Sequence, residues 1–228
     1  MLIVFDLDGT LVDSRLDIAA ATNHALVASG RSPLSVRTIS GFVGDGARSL
    51  LARASGLSED ATELDGLLAS FSSYYTAHAT VHTRPLPHAL ALLDVLGREL
   101  PLALCTNKPR ASTLRVLSGL GIEGAFAMVS AGGDQPERKP HAAPLLRLTQ
   151  RLGVAPTHTL LVGDGPQDVA TARSAGATSV AVLGGFTSEA TLRAERPDHL
   201  IGSLAELPPL LYRLRLDAVR PRAGDRRR

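Results

Sequence analysis

Asp6 and Asp8 stand two residues apart in Asp-Leu-Asp-Gly-Thr, directly after the apolar run Leu2 to Phe5. At a strand end, residues two apart point the same way, so both carboxylates face one site. Like charges held together repel unless a proton or cation lies between them, and carboxylate oxygens suit a hard divalent ion. Gly9 then lets the chain turn back without a side-chain clash. A hydrated strand-end turn is the plainer reading of the same residues. A second acidic pair follows the run Thr159 to Val162, in Gly163-Asp164-Gly165 and then Asp168. If the two strands are neighbours, Asp164 completes a metal shell with Asp6, and Asp168 supports it through a water or a neighbouring side chain. A favourable first-turn acid on a helix accounts for Asp168 equally well.

Thr106 and Asn107 follow another apolar run, where hydroxyl, amide and backbone donors suit phosphate oxygens. A helix cap or hydroxyl turn competes with that reading. Lysine usage is skewed: of 24 basic residues only Lys108 and Lys139 are lysine. Lys139 lies in Arg-Lys-Pro, where a compact ammonium can neutralise a phosphate and a nucleophilic carboxylate together. Chance survival of a surface lysine is the alternative, and Lys108 could as easily be solvated.

The elements that must position these groups are short and continuous apolar runs: Leu2 to Phe5, Leu102 to Cys105, Ala127 to Val129, Thr159 to Val162 and Val180 to Leu183. Continuous rather than alternating apolar residues are what strands buried on both faces of a parallel sheet require. Amphipathic segments at 87–100, 110–120, 141–153 and 166–176 alternate with them, which predicts an α/β fold with a doubly wound parallel sheet. Residues 14–84 break the rhythm and read as helices around Ala19 to Ala28, Ala47 to Ala54 and Leu64 to Ala77. The expected organisation is a core from 1–13 and 85–212, a helical cap at 14–84 over the carboxyl edge of the sheet, and a basic, flexible tail at 213–228.

Composition sets the wider bounds. With 44% hydrophobic and 20% charged residues in a chain of 228, there is enough apolar side chain for a packed core. No apolar run approaches the ~18 residues of a membrane span, and no basic flank precedes the first run, so the expected location is the cytoplasm with no membrane contact. Cys105 lies inside an apolar run and reads as a buried structural thiol. The seven histidines lack metal spacing. Seven arginines against two aspartates in 213–228 account for the basic pI, yet no aromatic residue there can stack on bases, so no nucleic-acid partner is expected.

Taken together, Asp6-Leu7-Asp8-Gly9-Thr10, Thr106-Asn107, Lys139-Pro140 and Gly163-Asp164 with Asp168 resemble the motifs of the haloacid dehalogenase superfamily, in the family's order. The resemblance covers residues 1 to about 185 and implies a Rossmann-like core, with the insert resembling the small helical cap of many members. It further implies Asp6 as nucleophile and Asp8 as acid toward the leaving alcohol, then base for water. Thr106 and Lys139 would hold the phosphoryl oxygens, with Thr10 and Asn107 at the substrate. Mg2+ would be bound by Asp6, the Asp8 carbonyl and Asp164, with Asp168 beside them. Gly165 stands where serine is frequent, and Ala142 where a proline often begins the following helix; neither removes a catalytic group.

Asp8 disfavours dehalogenation, which needs no proton donor, and a cap without lysine excludes the Schiff-base route of phosphonate-cleaving members. The loop Gly41 to Leu51 opens a helix, so the backbone at Gly44, Asp45 and Gly46, with Arg48 nearby, can receive a carboxylate. A tight turn into the helix is the alternative. The loop also resembles its equivalent in phosphoglycolate phosphatases, which selects 2-phosphoglycolate as the substrate. Pyrophosphate and sugar phosphates remain open, as does a phosphomutase using Asp45, or a polyanion-binding protein on a degenerate fold. The expected partner is a small phosphorylated metabolite, bound by a monomer or homodimer.

Overall fold

The computed structural model describes residues 1–219. The chain opens with β1 (Leu2–Phe5) and the two-residue β2 (Val12–Asp13), then passes through α1 (Arg15–Ala28), α2 (Val36–Ser40), α3 (Ala47–Ser55) and α4 (Glu63–His78). It returns at β3 (Arg84–Pro85) and continues through α5 (Ala89–Gly97), β4 (Leu102–Pro109), α6 (Arg110–Gly119), β5 (Met128–Gly132) and α7 (Ala143–Leu152). The remainder is β6 (Thr159–Gly163), α8 (Pro166–Ala175), β7 (Thr178–Val182), α9 (Glu189–Ala194), β8 (His199–Ile201) and α10 (Leu207–Val219).

Six strands form one parallel sheet in the order β5-β4-β1-β6-β7-β8. Each face of β1 is buried in a different hydrophobic cluster, Ile3 and Phe5 on one side and Leu2 and Val4 on the other, which is why the run is continuously apolar. Chain order reverses at β1, the topological switch point where doubly wound sheets bind ligands. Phe5 pairs with Leu104 on one side and Val162 on the other. Asp6 and Asp164 therefore leave neighbouring strands, and Thr106 lies within adjacent β4, at nearly the same height.

Between β1 and β4, β2 and β3 pair antiparallel through Val12 with Pro85 and Asp13 with Arg84, so the chain leaves and re-enters the α/β layers at one point. Asp17 reinforces the junction: its carboxylate accepts from the N–H groups of His82 and Thr83 and from the Thr83 hydroxyl. The helices enclosed by that junction share a hydrophobic cluster with one face of the sheet through Ile18, Leu26, Leu51, Leu64 and Phe71.

The sequence contained no signal for β8, whose three residues at the sheet edge are too short for a periodic run, nor for the five-residue α2. The tail expected from 213 begins as the last turns of α10, and its remainder from 220 lies outside the described residues. No helix among the described residues is long and apolar enough to cross a membrane.

Candidate active site

Two turns bring the acids together. After β1 the Asp6 N–H still bonds to the Val162 carbonyl at 2.9 Å, and the chain then folds back through Gly9 at φ 84°. A Cβ on Gly9 would overlap the Asp164 carboxylate, so a side chain there is excluded by both conformation and space. Thr10 donates its hydroxyl to Asp164 at 2.9 Å, and the Phe186 N–H reaches the other oxygen at 2.7 Å. After β6, Pro166 opens α8, and Asp168 in its first turn accepts from the Gly165 N–H at 3.0 Å. Its second oxygen accepts from Lys139 at 2.5 Å, and the same ammonium donates to Asp6 at 2.8 Å.

Asp6, Asp164 and Asp168 each offer an oxygen within 4.8 Å of the others, and all three are buried. One ammonium thus serves two of the three carboxylates, Asp6 and Asp168. Burial raises Asp164 to about 7, with Asp6 and Asp168 adding repulsion. Burial likewise lifts Asp168 to about 6, although Lys139 works against the shift. Burial opposes the charge on Lys139, but Asp168 and then Asp6 outweigh it and hold the ammonium protonated. Beneath it Cys105 is buried, and burial pushes its thiol up to about 12, leaving it inert as a nucleophile. Carboxylates that repel one another and offer only hard oxygen donors fit a divalent ion such as Mg2+.

Asp8 is not part of this cluster. Its carboxylate accepts from the Ser14 hydroxyl at 2.5 Å and from Lys108 at 2.9 and 3.0 Å. Asp6, Asp8, Thr106 and Lys108 line a cavity of about 50 Å³ whose lining also includes Val43, Gly44, Gly46, Ala47 and Leu50. That space holds only a few water-sized groups. Asp8 and Thr106 therefore border the same small cavity as Asp6.

Several expected substrate contacts are placed otherwise. Arg48 donates to the Glu59 carbonyl at 2.6 Å and to Asp65 at 2.7 Å, which commits its guanidinium to the turn between α3 and α4 and away from the cavity. Asp45 pairs with Arg53 at 2.5 Å and does not line the cavity. Thr10 is wholly buried and bonds Asp164, so it orients an acid instead of a substrate. The Asn107 amide donates to the carbonyls of Gly44 and Lys139 and accepts from the Lys139 N–H, leaving no side-chain donor for phosphate. It ties the Lys139 backbone to the glycine loop. Lys108, for which the sequence left solvation open, is 7% exposed because β4 continues through it to Pro109. The rarity of lysine was the signal that could have found it.

The comparisons agree with this geometry. A family model described as haloacid dehalogenase-like hydrolase matches residues 3–182. A phosphoglycolate phosphatase from Neisseria meningitidis is 38% identical over 216 residues, spanning 90% of this chain and 91% of its own. One from Agrobacterium fabrum is 34% identical, with 92% of each chain covered. Among solved structures, a predicted phosphoglycolate phosphatase from Haemophilus somnus superposes with a TM-score of 0.85 at 30% identity, covering 92% of this chain and 97% of that one. With the acids, the lysine and the threonine at the carboxyl edge of a doubly wound sheet, the chain belongs to the haloacid dehalogenase-like hydrolases and resembles their phosphoglycolate phosphatases.

Proposed function

We propose that this enzyme hydrolyses 2-phosphoglycolate by passing the phosphoryl group first to Asp6 and then to water. The observation that carries the reading is the buried Lys139 ammonium shared by Asp6 and Asp168, beside a cavity that also presents Asp8 and Thr106. A carboxylate oxygen of Asp6 attacks phosphorus, the bond from phosphorus to the leaving oxygen breaks, and Asp8 gives that oxygen its proton. Water then attacks the aspartyl phosphate while Asp8 takes a proton back, releasing phosphate and restoring Asp6. Lys139 and the Thr106 hydroxyl hold phosphoryl oxygens through both steps. Asp6, Asp164 and the Asp8 carbonyl, with Asp168 beside them, would hold Mg2+, which when bound offsets repulsion between the carboxylate and a phosphate dianion.

Residues 14–84 act as the cap in this reading. Support comes from the paired β2 and β3 at its two ends and from the 43–50 segment that helps line the cavity. The choice of substrate rests on the small cavity and on the names of the relatives. A phosphomutase finds no support in Asp45, whose carboxylate is paired with Arg53.

Phosphate release measured with Mg2+ over small phosphomonoesters, pyrophosphate and sugar phosphates tests the proposal. The expected result places 2-phosphoglycolate first and shows no turnover for Asp6→Asn. A last-place ranking for 2-phosphoglycolate removes the substrate assignment, and normal turnover by Asp6→Asn removes the covalent route.

A further inference from the structure

Lys108 is one of only two lysines in the chain, and the reaction above gives it no task. It is buried, and its ammonium donates to both oxygens of Asp8 and, at 2.7 Å, to the Tyr75 hydroxyl on α4. Three acceptors match its three protons, so the group is not free to receive a substrate anion. Ordering and burying so long a charged side chain costs free energy that an apolar residue on β4 would not. Among the described residues Asp8 has one other side-chain partner, the Ser14 hydroxyl, and a single hydrogen bond lets a carboxylate swing about it.

We infer that Lys108 is a positioning residue that fixes the Asp8 carboxylate for proton transfer, with Tyr75 as its second anchor. The inference rests on Asp8 being the acid and base of the proposed reaction. It also links two parts of the molecule: Lys108 lies two residues beyond Thr106 on β4, whereas Tyr75 belongs to the helices between β2 and β3. The aim of Asp8 is thus set jointly by the sheet edge and by α4.

The test separates a step that needs a proton from one that does not. Nitrophenolate leaves 4-nitrophenyl phosphate unaided, so single-turnover release from it reports phosphorylation of Asp6 alone, whereas an alkyl phosphomonoester needs Asp8 to leave. For Lys108→Met, kcat on the alkyl ester is expected to fall roughly 10–100-fold, the cost of a small misplacement. KM and single-turnover nitrophenolate release should stay within about threefold of the unmodified enzyme. Tyr75→Phe, which deletes one buried oxygen, should lower alkyl turnover about threefold while KM and nitrophenolate release stay within about 1.3-fold. A parallel fall in both reactions would mean a merely structural role and overturn the inference, as would unchanged alkyl turnover. If Lys108→Met does not fold, Tyr75→Phe decides by the same criteria. Failure of the unmodified enzyme on every alkyl ester is a separate result, which sinks the proposed function and this inference with it.

Discussion

The two sides of the cavity are built on different principles. On the sheet side, Asp6, Asp164, Asp168 and Lys139 are buried: Lys139 pairs with Asp6 and Asp168, Thr10 and the Phe186 N–H hold Asp164, and no buried side-chain polar atom among the described residues lacks a partner. On the helical side, the charged groups of Asp45 and Arg48 pair with their own neighbours, so Val43, Gly44, Gly46 and Ala47 present mainly backbone and small apolar surface. In the proposed reaction, charge acts from the sheet side while the helical segment opposite contributes shape, and any water it displaces strengthens the electrostatic interactions beneath it.

If that division holds, substitutions on the sheet side should be severe and those opposite mild. Asp6→Asn is expected to have the largest effect, a loss of at least about a thousandfold in phosphate release, because the nucleophile of the proposed reaction cannot be replaced by binding alone. Mass spectrometry of the quenched enzyme should show no phosphoryl adduct. Lys139→Met comes next. It leaves Asp6 and Asp168 buried without their shared cation, so urea unfolding should reveal a loss of about 3–5 kcal/mol along with lost activity. A stable, active Lys139→Met protein would mean that the sheet side is not organised by this ion pair.

Asp164 makes the comparison pH-dependent. Its pKa lies at about 7 in the native protein against an ordinary 3.8. Between those values the native state binds more protons than the unfolded chain, so this group makes metal-free protein less stable as pH rises. With chelator present, the melting temperature should fall by several degrees from pH 5 to pH 8, at about 2–4 °C per kcal/mol for a chain of this size. A divalent ion competes with the Asp164 proton, so Mg2+ should raise the melting temperature more at pH 8 than at pH 5. Equal stabilisation at both pH values would disconnect Asp164 from the ion.

The same division explains what could be read from the sequence. Asp6, Thr106 and Asp164 are far apart in the chain, yet each follows an apolar run, and parallel strands in register must bring such positions to one edge. Main-chain hydrogen bonding sets that outcome, so local sequence reveals it. The destinations of Thr10, Asn107 and Arg48 depend instead on which acceptors lie within reach after packing: a carboxylate, two carbonyls and a turn. No local pattern encodes those. Lys108 was hidden differently, because Asn107-Lys108-Pro109 looks like a loop while the strand continues through it. β8, with three residues, carries too little apolar periodicity to be seen at all.

The mildest expected change probes the helical side. Arg48→Ala removes bonds to Glu59, Ala61 and Asp65 in the turn between α3 and α4. Asp65 is well exposed, so the lost ion pair should cost no more than about 1 kcal/mol in thermal or urea unfolding. Because the guanidinium does not line the cavity, KM and kcat for 2-phosphoglycolate should both stay within about twofold. A tenfold rise in KM with unchanged kcat would instead mean that Arg48 leaves its turn to meet the substrate carboxylate. Charge would then act from both sides of the cavity, and the helical segment would recognise its ligand by more than shape.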